Sequence, residues 1–359
     1  MAIIERCVAL NPTGGESLSG ASEESLEEVL LANGWTDRLP IVVPTEERVE
    51  LMLAGTHTPP DAVIGAFPSP SGVEPRPFSV RDVAVNAVMA GARPAYLPVI
   101  LALASTGVSA RDPDPSSAAA MVVVNGPIRH EIHMNSGIGA MGPYNHANST
   151  IGRAYGLLSH NLQGGSEPRL SYFGSQGNNY AFTSITFAEN EERSPWPPFH
   201  VDQGFAADDS AVSVFGSCRH NTFTLGLRET HWRTVVKRML LGMLPTEDPN
   251  FVLDPIAARQ FVERGGFDTR AKMAEWVYET AQLPARDYWG YRRVQQLIQP
   301  RALAGEEPYA SMLKAPADAL VHMYRREAIH IVVVGGETNG YWRMFGASHA
   351  ATAAIDAWR

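Results

Sequence analysis

Lysine is nearly missing from this chain: Lys237, Lys272 and Lys314 are the only ones among 29 basic residues, so the positive charge is almost all arginine. Arginine grips carboxylates and phosphates in a planar fork, whereas lysine offers a single point charge. Cysteine is just as scarce. Cys7 and Cys218 cannot build a disulfide framework or a cysteine-only zinc site. Basic excess is absent too, with a net charge of -9 that excludes a phosphate-neutralising surface for nucleic acid or an anionic membrane. No apolar run is long enough to span a bilayer. The start, Met1 to Leu10, carries Glu5 and Arg6 where a signal peptide needs an uninterrupted apolar segment. These absences predict a cytoplasmic globular protein with no nucleic-acid or membrane partner.

The apolar share, 45% of 359 residues, suffices for a substantial core, and no repeat or low-complexity tract breaks the chain. Residues 1–24, with Asn11-Pro12-Thr13-Gly14-Gly15, read as a flexible arm, and 25–359 as one large α/β domain. Helices are expected from Ser25 to Gly34, from Thr45 to Gly55, from Ser79 to Gly91 and from near Asn148 to about Leu162. Strands are expected at Met121 to Val124, Tyr180 to Ala188, Ala211 to Phe215 and Ile329 to Val334, with a helical subregion over 229–326. Continuous β-branched runs predict strands buried on both faces, hence a layered sheet with flanking helices. Three such runs end in polar, glycine-bearing turns: Asn125-Gly126-Pro127, Gly216-Ser217-Cys218-Arg219-His220-Asn221 and Gly335-Gly336-Glu337. Were these strands parallel neighbours, the turns would line one crevice at the carboxyl ends of the sheet, where ligands of such folds sit.

Residues able to do chemistry gather near these turns. Asn145, Asn148, Ser149 and Thr150 open a helix whose first turn holds Arg153, a set of donors suited to an anion. With Asn125, Asn135, Ser136 and Trp196, Arg153 and Asn148 form the expected substrate-binding group. Glu189 ends a β-rich stretch, and three prolines restrict the following loop, which carries Trp196 and His200. A carboxylate and an imidazole so placed suit general acid and base work, with His220 assisting. The simpler alternative leaves Glu191 and Glu192 in solvent and packs Trp196 as core. Gly137-Ile138-Gly139-Ala140-Met141-Gly142 has dinucleotide spacing, but no convincing strand precedes it and no acidic residue follows at the ribose distance. His130 and His133, with His146, His200 or His220, are the candidate metal ligands for a divalent cation. Cys218, beside Arg219 and His220, is either an activated thiol or an ordinary buried cysteine.

As a set, several segments resemble the bacterial UGSC-type (seleno)protein family and its larger companion proteins. They are Gly34-Trp35-Thr36-Asp37-Arg38-Leu39-Pro40, Val85-Asn86-Ala87-Val88, Val124-Asn125-Gly126-Pro127-Ile128, Ala147-Asn148-Ser149-Thr150-Ile151-Gly152-Arg153, Ala188-Glu189-Asn190-Glu191-Glu192 and Ser194-Pro195-Trp196. The family takes its name from a selenocysteine- or cysteine-Gly-Ser-Cys module, which this chain lacks: Phe215 precedes Gly216-Ser217-Cys218. His130, His133 and His146, and the absence of histidine from Pro255-Ile256-Ala257-Ala258, also depart from the family pattern.

The leading expectation is an enzyme that cleaves a small, polar, anionic metabolite by acid/base lyase or hydrolase chemistry, without a required cofactor and as a homo-oligomer. The alternatives are a histidine-ligated metal enzyme and, as the resemblance implies, a non-catalytic companion of a small thiol or selenol protein.

Overall fold

A computed structural model describes residues 7–68, 74–111, 118–163, 177–227 and 230–359. The chain is an α/β protein and divides into two compact units. The first comprises 1–191, 197–219 and 349–359; the second comprises 192–196 and 220–348.

Unit one begins with a hairpin of β1 (Cys7–Ala9) and β2 (Leu18–Gly20). The expected flexible arm is therefore ordered from residue 7; residues 1–6 lie outside the described residues. The ordering has a cause. Ala9 packs with Leu26 and Val43 in a small apolar cluster, and the Asn11 side chain accepts hydrogen bonds from the Thr13 N–H and hydroxyl to hold the turn. Ser22 caps α1 (Glu23–Ala32) in a capping box with Ser25, and Thr45 caps α2 (Glu46–Leu53). β3 (Val63–Ala66) pairs with β4 (Pro77–Ser79), whose last residue caps α3 (Val80–Met89) in a second box, with Asp82. α4 (Leu97–Ser105) is buried around its whole circumference from Leu97 to Ala104.

The sheet of unit one is built on β5 (Ala119–Asn125), in which every residue is buried. Two short helical pieces flank the main helix of this region: α5 (Ile128–Glu131) precedes α6 (His146–Leu162), and α7 (Phe199–Asp202) comes later. β6 (Ile185–Ala188) runs parallel to β5, and β7 (Ala211–Leu225) runs antiparallel to it. One face, through Ala120, Val122, Val124, Val212 and Val214, packs with α3, α4 and α6 in a single core. The expected strand over Tyr180 to Ala188 is shortened, because Asn179–Phe182 forms a 3-10 turn capped by the Asn178 side chain.

Unit two places α8 (Trp232–Leu241), β8 (Pro249–Leu253), α9 (Pro255–Gly265) and α10 (Arg270–Thr280) before a helical excursion. The excursion runs through β9 (Gln282–Pro284), α11 (Ala285–Gly290), α12 (Arg292–Leu297), α13 (Gln299–Leu303), α14 (Tyr309–Lys314) and β10 (Leu320–His322). β11 (His330–Val333) is parallel to β8, whose other neighbour is the antiparallel first half of β12 (Tyr341–Ala354). Phe251, Phe261, Trp342 and Met344 are fully buried at the centre of this unit's core. β9 and β10 pair antiparallel and close off the excursion.

Two expectations about the sheet change. The strand expected to stop at Phe215 runs on to Leu225, because Gly216-Ser217 is absorbed as a bulge: Met121 faces Phe215 while Ala119 faces Cys218. Ser217 takes a left-handed backbone, with φ of 57°, to make the extra residue fit. In addition, β7 is antiparallel to β5, so the turn after Asn125 and the continuation of β7 past Phe215 head in opposite directions. They do not form one carboxyl-end crevice.

Candidate functional site

Asn125 and Glu189 occupy corresponding ends of the parallel pair β5 and β6, and neither is exposed to solvent at all. The Asn125 amide nitrogen donates to Glu189 Oε2 at 2.6 Å and to Glu191 Oε1 at 2.9 Å. Phe199 N donates to the same Glu189 oxygen at 2.6 Å, tying the proline-restricted loop to the strand end. Arg129 fills the remaining space: Nε donates to Gly126 O, Nη1 to Glu189 O, and Nη2 pairs with Glu191 Oε2 at 2.8 Å. Its side chain is only 4% exposed, and that of Glu191 12%. Glu191 therefore faces inward, while Glu192 is exposed.

His200 belongs to the same neighbourhood through its chain neighbour Phe199, and it too is fully buried. Nε2 lies 2.9 Å from Ala206 O. A carbonyl only accepts, so Nε2 donates, and the buried Nδ1 has no hydrogen-bond partner among the described residues. Glu189 and Asn125 are thus brought together, with Arg129 and Glu191, as a dehydrated network locking the ends of two strands, while His200 gives its hydrogen bond to Ala206 O.

The other expected binding residues have structural partners. Asn148 donates to Asn135 O and Ala140 O and accepts from Asn135 N, while Asn135 bridges Ile138 O and Asn145 Oδ1. These asparagines clamp the glycine-rich loop 137–142, and Ser136, half-buried, immediately precedes it. Arg153 makes a two-pronged ion pair with Asp37, Nε to Oδ2 and Nη2 to Oδ1, both at 2.8 Å. In unit two, Trp196 is 3% exposed and donates Nε1 to Phe267 O at 3.0 Å. His220 lies in β7, but its side chain falls outside the described residues.

His130, His133 and His146 are exposed, and His146 Nδ1 lies 3.3 Å from Tyr96 Oη. Partial burial, with Arg93 nearby, lowers the His146 pKa. No three His, Cys, Asp or Glu side chains among the described residues group so as to hold a metal ion. Cys218 is buried, at 2% exposure. No helix among the described residues is long and apolar enough to cross a membrane.

A cavity of about 930 Å³ opens in unit two, within the size range of small-molecule sites. Its wall draws on Asp248, Tyr278, Tyr309 and His322, and on the three arginines Arg301, Arg325 and Arg326. Each arginine is steadied by a carboxylate. Glu306 holds Arg301 from two sides, Glu275 holds Arg326 at 2.6 Å, and Glu327 reaches Arg325 at 3.2 Å. Arg301 also rests on Tyr309, 4.8 Å from the ring centre, and Arg326 on Tyr278 at 4.7 Å. His322 stacks on Tyr278 with centroids 3.7 Å apart and planes 12° from parallel, and its Nδ1 donates to Tyr278 O at 3.0 Å.

The electrostatics of this wall are uneven. Burial pushes the Asp248 carboxyl above the usual carboxylate range; a hydrogen bond from Ser348 and the charge of Arg325 oppose that rise without cancelling it. Burial also pushes up the Tyr288 phenol, with Tyr309 adding to the rise. The Thr246 hydroxyl oxygen in the wall is buried and without a partner among the described residues. The signals for this region in sequence were weak: no motif marks it, and its aromatic and arginine residues are scattered over 245–348.

Comparison with known proteins finds no protein-family model, no curated protein and no solved structure that matches this chain.

Proposed function

We propose that the chain is an enzyme for a small, polar, anionic metabolite, bound in the unit-two cavity and cleaved by acid/base lyase- or hydrolase-type chemistry. The observation that carries this reading is a carboxyl with a raised pKa, Asp248, in the wall of a cavity that also presents Arg301, Arg325 and Arg326. Perturbed titratable groups in clefts are candidates for proton transfer, and arginines of fixed geometry suit a carboxylate or phosphate. Asp248 takes the proton-moving role that the sequence suggested for Glu189 and His200, because those two are shut away from solvent. Protonated, Asp248 donates to a leaving group; ionised, it accepts from an attacking water. His322, with its Nδ1–H committed to Tyr278 O, offers Nε2 as a second acceptor.

The test is a screen of mono- and dicarboxylates, phosphate esters and their amides against the purified chain, read by calorimetry and by product formation. Asp248→Asn should retain ligand affinity within about threefold while losing most turnover, a factor of about a hundred or more for a general acid or base. Arg325→Ala should weaken binding about tenfold or more. Turnover that survives Asp248→Asn sinks the assignment.

A further inference from the structure

A second cavity, of about 410 Å³, lies in unit one, lined by Thr36, Asp37, Arg38, Arg111 and His160 and by the segment 177–182. It adjoins the amino end of β6, which that segment directly precedes. Four observations bear on what it takes. The first is charge. Both oxygens of Asp37 are occupied by Arg153, so the one carboxylate in the wall is already neutralised. The neighbouring Arg38 side chain makes no ion pair among the described residues.

The second is backbone geometry. Arg38 is held left-handed, with φ of 68°, a conformation costly for a residue with a side chain. The turn enforces it through Arg38 N donating to the Thr36 hydroxyl oxygen and Leu39 N donating to Asp37 Oδ1. A stiff turn thus fixes the Arg38 backbone at the cavity wall. The third is the floor: His160 is 3% exposed and its ring is fixed, with Nε2 donating to Gly34 O at 2.6 Å. The fourth is the apolar side, made by Ala181 and by Phe182, which is 41% exposed. A free phosphate would gain nothing from that surface.

From these we infer that the unit-one cavity is a binding site for a small carboxylate with an apolar or aromatic body, its anionic end on Arg38 and its body against Phe182. This site is independent of the unit-two cavity and uses none of its residues.

Calorimetric titration of the full chain with benzoate, with hexanoate and with inorganic phosphate tests it. Benzoate or hexanoate should bind at least about tenfold more tightly than phosphate. Arg38→Gly suits the left-handed backbone, so it should keep the thermal midpoint of the parent chain. It should also weaken benzoate about tenfold or more, the worth of a charge-assisted pair. Phe182→Ala should weaken benzoate and leave any phosphate binding alone. Arg301→Ala, in the other cavity, should leave benzoate affinity unchanged, which separates failure here from failure of the proposed active site. Benzoate and hexanoate that fail to bind, an Arg38→Gly chain that binds benzoate as the parent does, or loss of benzoate binding in Arg301→Ala would each overturn the inference.

Discussion

Arg129 and Glu191 meet at 2.8 Å where water is nearly excluded, and the Arg129 guanidinium also satisfies two backbone carbonyls at the ends of β5 and β6. Removing one partner of a buried pair leaves the other charge desolvated and alone, which costs far more than the pair itself contributes. Arg129→Met should therefore destabilise the chain by about 3–5 kcal/mol, checked by urea denaturation. Arg48→Met, whose pair with Glu23 is exposed, should cost under about 1 kcal/mol. The contrast shows what sequence carries at this scale. Glu189 and Asn125 are readable as polar residues closing apolar strands, and their inward placement follows from that. Arg129 and Glu191 are not readable, because the pairing depends on two strands lying side by side 60 residues apart in sequence. The same holds for Asp37 and Arg153: each looks like a solvated or ligand-seeking charge until the fold sets them face to face.

At the level of single elements, α6 carries Gly152 and Gly156, which simple helix propensity counts as equal weaknesses. The structure separates them. A Cβ on Gly152 would fall 1.7 Å from Thr183 O, so this glycine is what lets the helix approach the segment leading into β6. On Gly156 the nearest atoms would be Ala181 O at 3.4 Å and the Arg111 guanidinium at 3.5 Å, ordinary contact. Gly152→Ala should lower stability by about 1–3 kcal/mol through overpacking. Gly156→Ala should leave it unchanged or raise it by up to about 1 kcal/mol. Thermal melts of the two variants decide; equal shifts would refute the packing account. The starts of α2 and α3 were legible because their caps are local: Thr45 and Ser79 hold the expected first turns. α1, expected from Ser25, is instead capped earlier by Ser22, with Ser25 as the reciprocal member of the box. The extent of β7 was not, since Gly216-Ser217 reads as a stop unless the partner strand is known to tolerate a bulge. Nor was α4, where apolar residues on every side leave no period to detect.

For the molecule as a whole, acidic residues outnumber basic ones, 38 to 29, yet the pH dependence of stability rests on the few groups the fold has desolvated. His349, in β12, packs its ring against Phe199 and Phe215, and burial lowers its pKa. Its neutral form is favoured, so its share of stability is complete above about pH 6.5 and is lost as pH falls through the depressed value. Asp248 and Asp254 go the other way. Burial raises both, so the stability tied to their protonated forms is present at acid pH and lost as pH rises through their folded values. When ionised, Asp248 is therefore a charge that the fold holds against its own stability, as a group kept for chemistry would be. Melting midpoints from pH 4 to 9 should show His349→Gln flattening the loss below pH 6.5. Asp248→Asn should raise the midpoint at pH 7 and above while converging on the parent chain near pH 4. An Asp248→Asn chain that melts lower than the parent at neutral pH would mean that the carboxylate is there to stabilise the wall, and the case for it as the proton-transfer group would fail with that result.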